Sequence, residues 1–360
     1  SISFYIMQKI KVGIIGIRGL PARYGAFDQF VNQFVDYTNL KKKEIKFYIS
    51  AERGHERTNI ENVHQFYFYR GKSVFILLNN FISIIYFYLR GVRTFLFFGY
   101  GPVIFFPLLN LLQCKIICNV DGIEWRRVNS RTKKNYFKFC EKFLSKVKVS
   151  LIFDSLVVKR YYGIIHKLSG VLLYYPSDFE QKKIPSKKKN FSRNYKVIAV
   201  MRFLPENNIE TIVDTFVELN DKNFSNHTLY LVGKENDYFN KIIKPKIKNS
   251  KNIIFLGPIY NRNELYDLWS SSDYYIHGHS VGGTNPTLIE AISLKLPIIA
   301  YNCSFNKKVL GANGLFFKNS KELFEIIKDE IFIDQNLKID SSLFKKDFIN
   351  DKYIELIKSP

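Results

Sequence analysis

The sequence contains little that would support a disulfide-rich, zinc-binding or membrane-spanning protein. Cysteine occurs only four times in 360 residues, at Cys114, Cys118, Cys140 and Cys303. These positions form no CxxC pair and no Cys/His zinc pattern, which excludes a disulfide framework and fits a reduced compartment. The most apolar stretch, residues 74–89, is shorter than the roughly 20 residues that a membrane span needs. It is expected to form a core helix, with insertion into a membrane surface as the alternative.

Metal-binding and export signals are also missing. No DxD occurs in the chain, so a divalent metal held by paired carboxylates is not expected, and neither is another cofactor. The residues before Met7 lack the basic start, apolar run and small-residue cleavage site of a signal peptide. The sequence therefore predicts a cytoplasmic protein.

Positive charge is in large excess. The chain has 54 Lys+Arg against 32 Asp+Glu, a net charge of +22. Up to residue 180 it holds 27 basic and 12 acidic residues, against 27 and 20 in the rest. This predicts attraction to nucleic acid, anionic lipid or phosphorylated substrates. A helical pattern over 133–148 places six lysines opposite an apolar stripe; it is either a solvated face or a contact for anionic lipid head groups or a phosphorylated acceptor.

Short apolar runs alternate with helical patterns in both halves of the chain. The predicted strands are 11–17, 45–50, 94–98, 115–120, 196–200, 228–232, 253–256, 274–277 and 297–301. Such alternation is typical of parallel sheets covered on both sides. The predicted fold class is α/β, with two doubly wound Rossmann-like domains facing a central cleft, where ligands bind beyond the carboxyl ends of the strands.

The predicted domain boundaries follow composition. Residues 7–180 and 195–340 form the two domains, and 181–194, which has Pro, Ser and a lysine run but no periodicity, forms the linker. Residues 341–360 are predicted to include a helix that packs back on the N-terminal domain.

The segment 277–291, HGHSVGGTNPTLIEA, is the strongest candidate for a ligand-binding loop. A predicted strand ends at His277, the glycines at 282 and 283 expose backbone N–H groups, and Pro286 suits the first position of a helix. Such a turn can hold a phosphate. Glu290 follows about one helical turn later, where its carboxylate could accept hydrogen bonds from a ribose. The alternative is a helix-capping turn with a surface glutamate.

Three further loops follow predicted strands. The first, 16–27 (GIRGLPARYGAF), resembles a dinucleotide-binding turn imperfectly, with Glu52 available for a ribose; a tight turn is the alternative. The second carries Arg202, whose guanidinium could balance a diphosphate or pair with Glu206 on the surface. The third carries Asp121, which either faces the cleft or forms an Asx-type turn.

The order of these segments resembles the GT-B glycosyltransferases of family 4, most closely a bacterial subgroup that includes rhamnosyltransferases of polysaccharide assembly. The matching segments are GIRGLPARYGAF, NVDGIEWRR, RFLPENNIE, HGHSVGGTNPTLIEA and SFNKKVL, over roughly residues 10–320. The resemblance implies a nucleotide-sugar donor held by the C-terminal domain, an acceptor held by the N-terminal domain, and transfer with retention of configuration.

The resemblance also implies roles for particular residues. Arg202 would bind the donor diphosphate and assist catalysis, Glu290 would bind the nucleotide ribose, and Asp121 stands where many members have a catalytic histidine. The remaining implied donor-binding positions are Gly25, Ala26, Lys234, His279, Gly282, Gly283, Thr284 and Asn285.

Several positions depart from the family pattern. Asn207 replaces a lysine that usually supports Arg202, so the second positive charge is expected from Lys234 or Arg18. Gly282 replaces a glutamate that usually binds the donor sugar, so His279 or Ser280 is expected to do so. A deoxyhexose, which offers fewer hydroxyls, suits that change, and dTDP-rhamnose is the favoured donor.

The sequence thus predicts a metal-independent, retaining hexosyltransferase of surface polysaccharide synthesis that acts on a lipid-linked or oligosaccharide acceptor. The basic N-terminal half suits peripheral attachment to an anionic membrane surface. A UDP-hexose transferase is the alternative within the class. An NAD-dependent oxidoreductase would leave HGHSVGGTNP unexplained, and no nucleic-acid partner is expected because no recognisable nucleic-acid-binding motif accompanies the charge.

Overall fold

The structure is a computed structural model that divides into two compact units. It describes residues 9–22, 25–41, 44–53, 59–68, 73–128, 130–177, 179, 194–222, 224, 226–281, 283–335 and 339–359. The first unit contains residues up to Tyr174 and those from Asp347 onward, and the second spans Tyr175–Lys346. The predicted linker lies outside the described residues except for Asn194, and so does Gly282.

A parallel sheet forms the centre of the first unit. Its strands are β1 (Ile10–Ile15), β2 (Ile45–Glu52), β3 (Val63–Phe68), β4 (Thr94–Phe98), β5 (Lys115–Asn119), β6 (Ser150–Phe153) and β7 (Val171–Leu172). Their order in the sheet is β3-β2-β1-β4-β5-β6-β7, and every described pairing is parallel. The central strands are buried along their length because helices cover both faces.

The helices of the first unit alternate with its strands. They are α1 (Ala26–Leu40), α2 (Ser73–Leu89), α3 (Phe106–Leu111), α4 (Glu124–Arg127), α5 (Arg131–Phe143) and α6 (Leu156–His166). On β2, the Phe47 ring packs against Phe34 of α1 and the Tyr48 ring against Phe87 of α2. Because neighbouring strand residues point to opposite faces, α1 and α2 cover opposite faces of the sheet.

The chain returns to the first unit at its C-terminal end. In α13 (Lys346–Lys358), the Tyr353 ring lies 4.7 Å from that of Phe30. The Tyr353 hydroxyl accepts a hydrogen bond of 2.8 Å from Asn119 Nδ2 at the end of β5. The last helix is therefore packed on α1 and the carboxyl end of this sheet.

A second parallel sheet forms the centre of the second unit. Its strands are β8 (Tyr195–Val200), β9 (His227–Val232), β10 (Ile253–Gly257), β11 (Tyr274–His277), β12 (Ile298–Tyr301) and β13 (Leu315–Phe317). They run in the order β10-β9-β8-β11-β12-β13. The helices between and after them are α7 (Ile209–Asp221), α8 (Lys244–Ile247), α9 (Arg262–Ser271), α10 (Pro286–Ser293), α11 (Ser304–Leu310) and α12 (Ser320–Lys328).

The order of strands in the second unit decides which loops are neighbours. Strands β9, β8 and β11 are adjacent and parallel, so their carboxyl ends lie at one edge of the sheet. The loops that begin at Met201, Gly233 and Gly278 therefore meet there. In a doubly wound sheet this is the edge where ligands bind.

The two predicted Rossmann-like units are present, with small changes at element ends. The helix predicted over 133–148 ends at Phe143 and continues as a 3₁₀ turn over Leu144–Lys146. The predicted core helix over 74–89 is α2, but only one of its sides is buried. No helix in the described ranges is long and apolar enough to span a bilayer.

Candidate functional site

Hydrogen bonds join the loop after β8 to the loop after β11. Glu206 O accepts hydrogen bonds from the Ser280 backbone N–H at 3.1 Å and from Ser280 Oγ at 2.6 Å. Asn208 Nδ2 donates to Gly278 O at 2.8 Å. A side chain at Gly278 would not fit, because its Cβ would lie 2.1 Å from Asn207 O. The two loops that the sequence predicted as ligand-binding therefore form one structure.

Arg202 is exposed between two buried residues of the first of these loops, Met201 and Phe203. Asn207 Nδ2 donates a 2.7 Å hydrogen bond to Arg202 O and fixes the backbone there. Within the described part of the chain no carboxylate forms an ion pair with the guanidinium, so the predicted alternative of a pair with Glu206 is not observed. Asn207 thus supports Arg202 through the backbone and adds no charge.

Two predicted donor-binding residues, Lys234 and His279, lie at the carboxyl edge of the second sheet. Lys234 is exposed two residues after the end of β9, which pairs with β8. His279 lies close enough to Arg202 for the guanidinium charge to act on it: burial, together with Arg202, lowers the pKa of His279 to about 3. His279 is therefore neutral at physiological pH.

The turn after β11 leads into α10 through a side-chain cap. Asn285 Oδ1 accepts hydrogen bonds from the Thr287 backbone N–H at 3.0 Å and from Thr287 Oγ1 at 2.8 Å, and Pro286 occupies the first helical position. Asn285 is thus an N-cap, and its side-chain oxygen is used within the turn. The buried Thr284 Oγ1 has no hydrogen-bond partner among the described residues.

A buried chain of polar side chains continues from this cap. The Tyr275 hydroxyl lies 2.8 Å from Thr287 Oγ1 and 2.8 Å from His277 Nδ1. Because the Thr287 hydroxyl hydrogen goes to Asn285, the Tyr275 hydroxyl donates to Thr287 and can only accept from His277. The chain therefore assigns the proton of the neutral His277 ring to Nδ1 and leaves Nε2 as an acceptor.

The two histidines of this segment are stacked and uncharged. Their ring centroids are 4.6 Å apart, and burial, with the neighbouring His279 ring, lowers the pKa of His277 well below its usual value. Neither His277 Nε2 nor His279 Nδ1 has a hydrogen-bond partner within the described ranges. Together with Thr284 Oγ1, they place three unsatisfied buried polar atoms in the segment from the last residue of β11 to the start of α10, where an incoming hydroxyl could satisfy them.

Glu290 lies in the second turn of α10 and is engaged by a neighbour. Its Oε1 accepts a 2.8 Å hydrogen bond from Arg262 Nη1, and the Arg262 guanidinium lies over the Phe179 ring at 4.6 Å. The carboxylate is largely buried, so it is held in one orientation. This ion pair was not predictable from the sequence, because Arg262 belongs to a different helix, α9.

Gly25 and Ala26 form the start of α1 in the first unit. Gly25 has φ 108° and is the N-cap residue, and a Cβ there would lie 2.8 Å from Asp28 Oδ2. Asp28 Oδ1 accepts a 2.7 Å hydrogen bond from the backbone N–H of Arg18. Burial raises the pKa of Asp28 to about 6. Asp28, which sequence analysis did not single out, therefore fixes the glycine-rich loop.

Asp121 follows β5 in the first unit and has φ 57°. Its Oδ2 lies 3.0 Å from Arg127 Nη1, which also contacts Glu124 Oε1 at 2.7 Å. Asp154, at the end of the neighbouring strand β6, is 3% exposed. Burial, reinforced by the Asp121 charge, raises the pKa of Asp154 to about 7. Asp121 is thus close enough to a second acidic side chain for their charges to interact. This is the buried Asp154, which the sequence did not reveal.

The structure brings together some of the predicted site residues and not others. Arg202, Lys234, His279, Thr284 and Glu290 belong to the second unit, and so do Gly283 and Asn285. Gly25, Ala26 and Asp121 belong to the first unit. Among the described residues, no group of three or more His, Cys, Asp or Glu side chains is arranged to hold a metal ion.

Two segments of the chain match known protein families. Residues 180–336 match the family described as glycosyl transferases group 1. Residues 8–81 match a domain of unknown function, DUF1972. No curated protein matches the chain in sequence.

Solved structures resemble the whole chain. Sucrose-phosphate synthase from Thermosynechococcus elongatus has a TM-score of 0.76 at 14% identity, over 96% of this chain and 98% of that one. Anabaena HepE in complex with UDP and glucose has a TM-score of 0.71 at 15% identity, over 98% and 100%. WaaG, a glycosyltransferase involved in lipopolysaccharide biosynthesis, has a TM-score of 0.63 at 10% identity, over 97% and 94%.

At these identities the likeness shows the fold. Two parallel-sheet α/β units and near-complete coverage by these structures confirm the predicted GT-B fold. Together with the group 1 match over most of the second unit, they support a GT-B glycosyltransferase.

Proposed function

We propose that the protein is a retaining hexosyltransferase that moves a sugar from a nucleotide-sugar donor to a glycan acceptor in bacterial surface polysaccharide synthesis. One observation carries this proposal: Arg202, Lys234 and the capped N-terminus of α10 converge on the carboxyl edge of the second sheet. Both cations and a helix N-terminus attract negative charge. A pyrophosphate is the part of a nucleotide-sugar that such an edge would hold.

The proposed mechanism follows from the charges that develop in the reaction. Breaking the glycosyl–phosphate bond leaves negative charge on the departing diphosphate and positive charge on the sugar. Arg202 and the backbone N–H groups around Gly283 and Thr284 would stabilise the leaving group, and Lys234 would supply the second charge that Asn207 does not. Since the backbone at Arg202 and the turn before α10 are held by hydrogen bonds before the reaction, they need little reorganisation during it. We therefore propose transfer without a metal.

The donor sugar is proposed to be L-rhamnose, carried by dTDP. Gly282 offers no carboxylate for sugar hydroxyls. The Ser280 hydroxyl already donates its hydrogen bond to Glu206 O. His279 is the remaining candidate from the sequence, and its uncharged ring suits a hydroxyl. A deoxyhexose demands fewer such contacts. Because HepE has been solved in complex with UDP and with UDP-glucose, a UDP-hexose is the second candidate donor.

The first unit is proposed to hold the acceptor, with Gly25 and Ala26 approaching the donor and Asp121 acting near the reacting sugar. The acceptor is proposed to be lipid-linked, at the inner face of the cytoplasmic membrane. Two features support this: the first unit carries most of the excess positive charge, and the structurally similar WaaG is involved in lipopolysaccharide biosynthesis. Anionic lipid head groups attract such basic surfaces.

A donor screen tests the proposal. The protein is incubated with dTDP-rhamnose, UDP-glucose, UDP-galactose and GDP-mannose, with bacterial membrane extract as acceptor and EDTA present, and nucleotide release is measured. We expect release from dTDP-rhamnose and no loss of rate in EDTA. Release only from a UDP-hexose would move the donor to the second candidate. Release from no donor, with or without Mg²⁺, would contradict the function.

A binding comparison separates this function from other classes. Ligand at 100 times its dissociation constant stabilises a protein by about 2.7 kcal/mol, so dTDP and UDP should raise the melting temperature more than NADH does. A shift with NADH alone would favour an oxidoreductase that uses Glu52. Salt-sensitive retention on DNA without any nucleotide shift would favour a nucleic-acid-binding protein.

A further inference from the structure

The buried side of helix α2 includes polar residues. Its 17 residues, Ser73–Leu89, include no charged side chain. The polar residues Asn80 and Ser83 are buried, and Ser83 Oγ lies 2.9 Å from Ser50 Oγ of β2. Ile84 and Phe87 are fully buried beside them. Two polar side chains of the helix are therefore buried, and one of them, Ser83, contacts the sheet.

The outer side of α2 is apolar and exposed. The exposed fraction is 56% for Phe75, 50% for Leu78, 43% for Ile82 and 76% for Leu89. Spacings of three, four and seven residues place these side chains in a single stripe along the helix. At 1.5 Å per residue the stripe is about 21 Å long. An exposed apolar surface of this length indicates an interaction site.

A basic surface borders the stripe. Residues 101–105 contact both α2 and α5. The Phe105 ring lies 5.2 Å from that of Phe81 of α2, and Gly101 O accepts a 2.6 Å hydrogen bond from the Tyr136 hydroxyl of α5. The exposed cations of α5 are Arg131, Lys133, Lys138 and Lys142. Arg90 and Arg93 are exposed just beyond the end of α2.

Acidic residues are few in the segments that border the stripe. The sequence has none between Glu61 and Asp121, and the single glutamate of α5, Glu141, is buried beneath Tyr161 and His166. The apolar stripe is therefore bordered by positive charge that no neighbouring carboxylate of these segments neutralises. If a second copy of the chain docked through the same face, the basic residues of the two copies would face and repel each other.

We propose that the outer face of α2 docks on an anionic bilayer, with Phe75, Leu78 and Ile82 inserted at the lipid interface and the α5 cations on the head groups. Apolar side chains bordered by Lys and Arg are typical of helices that lie in the membrane surface. The inner side of α2 stays on the sheet in this arrangement, because Ser83 is bonded to β2 and Ile84 and Phe87 are buried. This inference rests on the proposed function only in that a lipid-linked acceptor gives the docking a purpose.

Vesicle co-sedimentation tests the surface. The full chain is spun with vesicles of phosphatidylcholine and phosphatidylglycerol, and with vesicles of phosphatidylcholine alone. The variant Leu78→Glu/Ile82→Glu changes two exposed positions, so folding should persist, which the melting temperature checks. Its matched control is Leu40→Glu, because Leu40 is 81% exposed at the end of α1 on the opposite face of the sheet.

We expect the wild type and Leu40→Glu to bind the anionic vesicles, and the double variant to lose at least about tenfold in partitioning because two inserted aliphatic side chains are removed. Unchanged binding by the double variant would overturn the proposal. Equal binding of the wild type to both vesicle types would also overturn it. So would a dimer that forms in the wild type and is lost in the double variant while vesicle binding is kept. Nucleotide release from the donor in solution reports on the proposed function separately, since α2 carries none of its residues.

Discussion

The Tyr275 hydroxyl lies 2.8 Å from His277 Nδ1 in the interior of the second unit. Through Thr287 it also links this histidine to Asn285, the N-cap of α10. The direction of each hydrogen bond follows from the one before it, beginning at Asn285 Oδ1, which can only accept. A residue that never reaches the surface thus sets which nitrogen of His277 carries the proton.

Replacement of Tyr275 by phenylalanine removes this link. We expect the Tyr275→Phe variant to lose about 1–3 kcal/mol of folding free energy, because His277 Nδ1–H is left buried without an acceptor. The fixed tautomer should be lost as well. Ring ¹⁵N spectra of the wild type should show an unprotonated Nε2, and spectra of the variant should show a mixture or the other tautomer.

Tyr274→Phe is the matched control for this change. Tyr274 is the preceding residue on β11, points to the other face, and its hydroxyl lies 3.2 Å from His227 Nδ1. A comparable loss of stability is expected without a change in the His277 spectrum or in nucleotide binding. If both variants left the His277 spectrum unchanged, the hydrogen-bond chain would not determine the tautomer.

The cap of α10 can be tested against a second cap of the same type. Asn285→Ala should cost about 1 kcal/mol of folding free energy, as the loss of an N-cap generally does. Asn319→Ala removes an equivalent cap, since Asn319 Oδ1 accepts a 2.9 Å hydrogen bond from the Glu322 backbone N–H at the start of α12. Both variants should therefore show similar falls in melting temperature.

Only the first of these caps adjoins the proposed donor site. We expect Asn285→Ala to weaken dTDP binding measured by calorimetry, while Asn319→Ala binds as the wild type does. Equal nucleotide affinity for both variants would show that the turn before α10 has only a structural role.

Arg202 is the side chain on which the proposed chemistry depends most. Arg202→Ala should lower turnover by about 10²- to 10³-fold, by analogy with the removal of one fixed donor to a developing anion. The melting temperature should change little, because the side chain is exposed. Glu206→Gln serves as the control: if Arg202 acted only through a surface ion pair, this variant would show the same loss of turnover, and we expect near-normal rates.

Asp154 should make stability depend on pH. The folded-state pKa is about 7 against an ordinary value of 3.8, so between these pH values the folded state binds more protons than the unfolded state. Stability contributed by the protonated carboxyl is fully present below about pH 4 and is lost as pH rises through 7. Asp154→Asn should remove this loss and raise the melting temperature at pH 8. The corresponding gain in the free energy of unfolding is at most about a few kcal/mol.

Melting curves from pH 4 to pH 8 measure the effect. Asp267→Asn makes the same change in charge at an exposed position of α9, and its curve should stay parallel to that of the wild type. A wild-type curve parallel to that of Asp154→Asn over the whole range would contradict the raised pKa.

Local patterns in the sequence determined the two-unit architecture. Strands β4 and β11 were predicted with the bounds they have, and β1, β2, β5, β8, β9, β10 and β12 within a few residues. Buried parallel strands are short apolar runs between helical patterns, which is why these strands were evident. Strands β3, β6, β7 and β13 were missed. The partly exposed β3 lacks a simple apolar run, and β7 and β13 have only two and three residues.

The sequence also located the loops of the candidate site. Residues 201–208 and 278–285 were predicted at the ends of strands β8 and β11, and glycine and proline marked the turn before α10. The order of the strands was not evident from these patterns. It is the adjacency of β8 and β11 that joins the two loops, through Ser280 and Glu206.

Only the tertiary structure decided which polar side chains are buried and what they contact. The pair of Arg262 with Glu290, the carboxyl of Asp154, and the chain from Asn285 to His277 depend on residues of different elements, whose distances no local pattern encodes. The same holds for α2: its composition predicted burial, and packing left its apolar side exposed. Composition measures how much apolar surface a helix has, whereas the neighbouring elements determine which side of it is covered.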